Sequence, residues 1–135
     1  MERAGHIARE FVAAINEHDT KWLGTLMTED HEFVDSLGER VRGRDLMLQG
    51  WRRYFAMMPD LRIEIDNIIA EGSIVGLFGK ATGTYTVDGN LRQENAWRIP
   101  IAVRAIVDGD RVQKWQSFAD NKPVYEIMAR VGAPK

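Results

Sequence analysis

The side chain best suited to chemistry is the carboxylate of Asp35. Within His31–Leu37 it alternates in step with Phe33 and Leu37, so a strand through this segment would set it among apolar side chains. Burial disfavours the charged form of a carboxyl group, raises its pKa and makes it a proton acceptor near neutral pH. Asp35 also lies just before Gly38, where an aspartate can cap a turn, and the residues leave both roles open. His31 has the same parity four residues away, roughly 13 Å along a strand. The two could flank a ligand without sharing a proton. Ser117 has no histidine nearby in sequence to suggest an activated nucleophile. With no cysteine and with His6, His18 and His31 widely spaced, no metal site is expected. No glycine-rich phosphate loop or dinucleotide fingerprint is present, and no cofactor is expected.

Aromatic residues are the second signal: Trp22, Trp51, Tyr54, Phe55, Tyr85, Trp97 and Trp115 are many for 135 residues. At helical spacing an aromatic stripe usually means core packing. The elements that must position these groups follow from periodicity. Ala4, Ile7, Ala8, Phe11, Val12 and Ile15 predict an amphipathic helix over 3–17. Asp19 should cap a short second helix burying Trp22, Leu23, Leu26 and Met27. A strand is expected over His31–Leu37, with a short return strand at Arg40–Arg42. Met47, Trp51, Tyr54, Phe55 and Met58 form the stripe of a third helix that ends before Pro59. Long strands read at Leu61–Glu71, Ile74–Val87 and Leu91–Val107, with tight turns at Gly72-Ser73 and Asp88-Gly89-Asn90, then a last strand at Arg111–Ala119. Val124, Ile127, Met128 and Val131 mark a terminal helix with Pro123 in its first turn, which Asp120 is placed to cap.

Helices followed by consecutive hairpins point to α+β, with a twisted antiparallel sheet carrying helices on its concave face. Pro100 complicates the strand around it. Arg98 and Arg104 should face outward, yet a bulge at Pro100 could turn Arg104 inward toward an acidic ligand. The chain fits one domain, 1–135. A net charge of −2 gives no reason to expect nucleic-acid binding. Arg40, Arg42 and Arg44 read as a solvated cluster. No apolar run reaches membrane-spanning length, and no signal-peptide pattern opens the chain, so no membrane and a cytoplasmic location are expected.

Segments in order along the chain resemble the SnoaL-like branch of the nuclear transport factor 2-like superfamily. They are Glu29-Asp30-His31-Glu32-Phe33-Val34-Asp35, Gly43-Arg44-Asp45, Met58-Pro59-Asp60-Leu61-Arg62-Ile63-Glu64, Gly83-Thr84-Tyr85-Thr86, and Val112 through Asp120. The resemblance implies a cone-shaped, cystatin-like roll around an apolar pocket. The third helix and the sheet interior would line that pocket, making Trp51, Tyr54, Phe55, Trp97 and Trp115 ligand contacts. Ser117 and Phe33 would share the wall, with Met27 as adaptable apolar surface and Phe11 from the first helix. Asp35 falls where ketosteroid isomerases of this fold hold an aspartate base. Their oxyanion-donating tyrosine corresponds to Phe11 and their protonated aspartate to about Ala102, so steroid isomerase chemistry is not expected. The epoxide hydrolase aspartates are also missing, one falling near Ser117 and the other strand being interrupted by Pro100. SnoaL-type cyclases use an aspartate and a histidine, which makes Asp35 and His31 the catalytic candidates. The expected function is binding of an apolar small molecule, with cofactor-free isomerase or cyclase chemistry on a carbonyl compound. The alternative is a non-catalytic binding module or interaction domain, homodimeric through its sheet.

Overall fold

Helix α1 (Arg3–Asn16) forms because its apolar residues recur on one stripe, and that stripe is buried, Ala8, Phe11, Ala14 and Ile15 completely. The computed structural model describes residues 2–133, so Met1, Pro134 and Lys135 of the expected domain lie outside the described residues. His18, with φ of 53°, turns the chain, and Asp19 caps helix α2 (Thr20–Thr25) by accepting the Trp22 N–H at 2.9 Å. Strand β1 (Met27–Val34), β2 (Arg40–Arg42), helix α3 (Arg44–Met57), β3 (Arg62–Glu71) and β4 (Ile74–Thr84) follow. After a loop with a 3-10 turn at Gln93–Asn95 come β5 (Ala96–Asp108), β6 (Arg111–Phe118) and helix α4 (Lys122–Val131).

The strands make one six-stranded open sheet in the order β2-β1-β6-β5-β4-β3. The expected α+β class holds, but the sheet is mixed, because β1 runs parallel to β6. Hairpins dictate antiparallel neighbours, whereas β1 and β6 are far apart in sequence and meet only through tertiary packing. The strand expected over His31–Leu37 instead ends at Val34, and Leu37 is 75% exposed rather than facing the core. Between Met27 and Glu32 the β1–β6 register slips. That bulge breaks the simple alternation on which the sequence reading relied. Further irregularities at Ile65/Asn67 and Ile106/Val107 bend the neighbouring strands. The strand expected to reach Val87 stops at Thr84, and the one expected from Leu91 starts at Ala96, so no tight hairpin joins them.

Pairing of β4 with β5 runs unbroken through Lys80↔Pro100. Strand β6 ends opposite Ala102, which leaves Pro100 beside open edge where a missing N–H costs no ladder bond. No bulge forms there. Arg104 stays on the outer face and donates to Gln116 Oε1 at 2.8 Å. The outer face also holds Glu32, pinned between Arg40 and Arg42 at 3.0 Å each and Lys114 at 3.4 Å. Arg40 and Arg42 therefore have a defined partner instead of a purely solvated role. Hydrogen bonding from Arg42 holds the Glu32 carboxyl below the usual range despite its burial.

Inner-face residues such as Val75, Leu77, Val103, Ala105 and Val112 join the core against α1, while α3 packs against β1 and β2. Asn16, at the end of α1, closes part of the β3 edge by donating to the Ile63 carbonyl (2.9 Å) and accepting its N–H (2.7 Å). Among the described residues no helix is long and apolar enough to cross a membrane.

Two predictions arise from close contacts in this core. A Cβ at Gly79 would lie 1.8 Å from the Glu64 carbonyl oxygen, so Gly79→Ala should cost roughly 1–3 kcal/mol, as overpacking does. An unchanged urea midpoint would contradict the close approach of β3 and β4. His31 is fully buried, and its Nδ1 donates to the Val112 carbonyl at 2.7 Å, which leaves Nε2 as a buried acceptor without a partner among the described residues. Burial pushes the His31 pKa below 6.5. The unfolded chain then binds a proton that the folded chain refuses. Stability should be complete above pH 6.5 and fall at lower pH, by at most about 1.4 kcal/mol per unit from this residue. Denaturation at a series of pH values should show a flatter dependence for His31→Gln; parallel curves would remove His31 as the source.

Candidate functional site

Where the helices do not cover the inner face of the sheet, a cavity of about 590 Å³ remains between α3, α4 and the strands. Its floor comes from alternate positions of β5, including Trp97, Ile99 and Val103, and from Trp115 and Ser117 of β6. Trp97 lies flat over Gly83: a Cβ at that glycine would sit 2.7 Å from the indole Cζ2. Its Nε1 donates to the Met58 sulfur at 3.3 Å, so the ring is held in place from two sides. Trp115 stacks on Phe11 with centroids 4.4 Å apart and turns another part of its surface to the cavity.

The α3 wall is aromatic because positions 51 and 54 fall on one side of the helix. Trp51 meets Phe33 edge-on at 6.1 Å and Tyr54 edge-on at 6.4 Å. The Trp51 indole N–H is buried and has no acceptor within the described residues, a costly state for a donor. Burial, with the Tyr125 phenol nearby, pushes the Tyr54 hydroxyl up to about 12. It therefore remains a protonated donor at any physiological pH. The mouth lies between α3 and α4, since the lining residues Leu46, Arg53 and Tyr125 are all exposed. A shallower hollow of about 410 Å³ adjoins it, sharing Ser36, Ala119, Asn121 and Tyr125.

Of the residues expected to contact a ligand, Phe33, Trp51, Tyr54, Trp97, Trp115 and Ser117 line this cavity, and so does Asp35. Phe55, Met27 and Phe11 do not; they are core residues behind the wall. Phe55 stacks on Trp51 at 5.5 Å and on His18 at 4.3 Å. His31 and Asp35 are not brought together. His31 sits in the core, its ring centroid 5.8 Å from that of Phe11. Asp35 follows β1 rather than belonging to it, and its Oδ1 accepts the N–H groups of Leu37 and Glu39 at 2.9 Å each. That is the turn-capping arrangement its place before Gly38 allowed. Asp120, expected to cap α4, instead lies one residue before its N-cap Asn121 and accepts the Lys122 N–H at 3.0 Å.

Sequence reading missed Gly50 and Arg53 on α3, and Asn121, Tyr125 and Met128 near or on α4. Tyr125 and Arg53 read as surface residues by pattern, and only the closure of α4 over the sheet places them on a shared rim.

A family model described as the SnoaL-like domain matches residues 8–116. Among curated proteins, none matches the sequence. Similar solved structures include one assigned as a SnoaL-like polyketide cyclase from Shewanella putrefaciens CN-32, with TM-score 0.81, 19% identity, and 96% of this chain and 88% of that chain covered. A Catenulispora acidiphila DSM 44928 protein with a ketosteroid isomerase-like fold, in complex with trimethylamine, gives TM-score 0.77 at 20% identity, covering 91% and 92%. An M. tuberculosis LEH-like epoxide hydrolase gives 0.77 at 16% identity, covering 95% and 90%. At these identities the likeness is one of fold, and fold alone does not fix chemistry. With the family match spanning most of its length, the chain belongs to the SnoaL-like domain family.

Proposed function

We propose that this protein binds an apolar small molecule in the cavity between α3, α4 and the sheet. The observation that carries this reading is the cavity itself. About 590 Å³ is a usual size for a small-molecule site, and the wall is apolar and aromatic with few polar groups. Those polar groups, Asp35, Arg53, Tyr54, Ser117 and Asn121 among them, would orient a ligand that the aromatic rings bind.

A second reading adds chemistry. Asp35 would act as general base on an apolar carbonyl compound, with the Tyr54 phenol as donor to the carbonyl oxygen. It is supported by both groups lining one cavity and by the protonated state of Tyr54. Against it stands the work Asp35 already does in its turn. Binding without turnover is therefore the primary reading.

A third property concerns assembly. The outer face of the sheet exposes Ile69, Ile74, Phe78 and Phe118, with Phe78 and Phe118 both paired in register to Ala102. A contiguous apolar face of this kind fits a homodimer through the sheet.

Titration with the neutral fluorophore N-phenyl-1-naphthylamine tests the binding reading. Trp97→Ala should weaken it by about 1–3 kcal/mol, as loss of an aromatic anchor does, and Gly50→Phe should weaken it by crowding the mouth. Unchanged affinity in both variants would place binding elsewhere. Asp35→Asn separates the two chemical readings: deuterium exchange beside the carbonyl of a bound ketone should drop by roughly 100-fold or more if Asp35 is the base. Equal exchange in both proteins rules that role out. In sedimentation, a species of 15.4 kDa at micromolar concentration would exclude the dimer, whereas Phe78→Arg should convert a dimer to that monomer.

A further inference from the structure

The polar groups on the cavity wall divide into those already used by the fold and those left over. Asp35 gives Oδ1 to two turn N–H groups. Ser36 is likewise consumed, its hydroxyl donating to the Ser117 carbonyl (3.3 Å) and accepting the Ala119 N–H (3.0 Å). Besides Asp35 Oδ2, which takes no hydrogen bond among the described residues, and the Ser117 hydroxyl, the side-chain groups left on the wall carry donors: the guanidinium of Arg53, the Tyr54 phenol held protonated by burial, and the side-chain amide of Asn121.

Arg53 is the sole cation on the wall among the described residues, and it takes part in none of the ion pairs found there. Several cations away from the cavity have partners, whereas others such as Arg9, Arg52 and Arg98 are in none of these pairs but line no part of the cavity. Arg40, Arg42 and Lys114 surround Glu32, Arg92 meets Asp88, and Arg104 bonds Gln116 on the far face of the sheet. Gly50 lies one turn before Arg53 on α3, on the side over which a helical side chain leans. A Cβ there would touch only Met47, at 3.7 Å or more. The glycine thus leaves open the space a group bound by Arg53 would occupy.

From this placement we infer that the molecule bound in the cavity is an apolar acid, whose body lies against Trp97 and Trp115 and whose carboxylate is held at the mouth by Arg53. Tyr54 and Asn121 supply further donors to the same anion. This rests on the cavity being the ligand site and specifies what kind of ligand it takes. Charge-assisted, two-pronged bonding to a carboxylate is what a guanidinium does better than any other side chain.

Two fluorophores with one apolar body make the test: 8-anilinonaphthalene-1-sulfonate, whose sulfonate stands in for the carboxylate, and neutral N-phenyl-1-naphthylamine. The measured quantity is the ratio of their dissociation constants at low salt. The anionic probe should bind roughly three- to tenfold more tightly, the range for one partly exposed charged contact, and added salt should shrink the margin. Arg53→Gln should abolish the preference, Arg53→Lys should keep part of it, and Arg9→Gln on the exposed side of α1 should leave it intact. Gly50→Phe should weaken both probes together. Equal affinities in the parent protein, or a preference that survives Arg53→Gln, would overturn the acid while leaving the cavity as a ligand site. If neither probe responds to Trp97→Ala or Gly50→Phe, the cavity reading fails and the acid with it.

Discussion

The stack between Phe11 and Trp115 is the contact on which both the core and the cavity depend. Their ring centroids lie 4.4 Å apart, joining the buried stripe of α1 to the central strand of the sheet, β6. A phenyl ring at position 11 needs no hydrogen-bond partner, so the junction is sealed by packing alone. Behind it sits His31, and in front of it begins the empty space.

Much of this fold was readable because its helices follow a 3.6-residue period and its later strands are bounded by glycine turns. Helices α1, α3 and α4 and strand β6 fall within a few residues of their expected ends. Strand β1 was harder. Its bulge removes the two-residue alternation between Met27 and Glu32, so the pattern seemed to begin at His31 and run on to Leu37. The parallel pairing of β1 with β6 was invisible, because no local signal reports which distant strand lies alongside. Arg104 was ambiguous for a clear reason: whether Pro100 forces a bulge depends on what lies beside it, and β6 simply ends first.

The candidate site shows the same division. Trp51, Tyr54, Trp97 and Trp115 could be named from sequence because the family resemblance implied a pocket lined by the third helix and the sheet interior, whereas periodicity alone pointed to core packing. Whether an aromatic residue lines a cavity or fills the core is decided by the layer behind it, which is why Phe55 and Phe11 went the other way. The burial expected for Asp35 belongs instead to His31. Strand β1 ends at Val34, so Asp35 falls in the turn beyond it and is only partly buried. Membership of the SnoaL-like family then sets the scaffold, and a scaffold alone does not fix chemistry.

Helix α4 has a consequence for local opening. Only Val124 of this helix is fully buried. Its far end is fastened by the Tyr85 hydroxyl to the Gly132 carbonyl at 2.8 Å and by Arg130 to Glu94 and Asn95. At the mouth end Val124 is set in the core, beside the short turn at Asp120. A helix with a single buried side chain opens as a local unit at lower cost than unfolding the sheet. Tyr85 lies outside the cavity lining, yet its bond to Gly132 is one that such an opening would have to break.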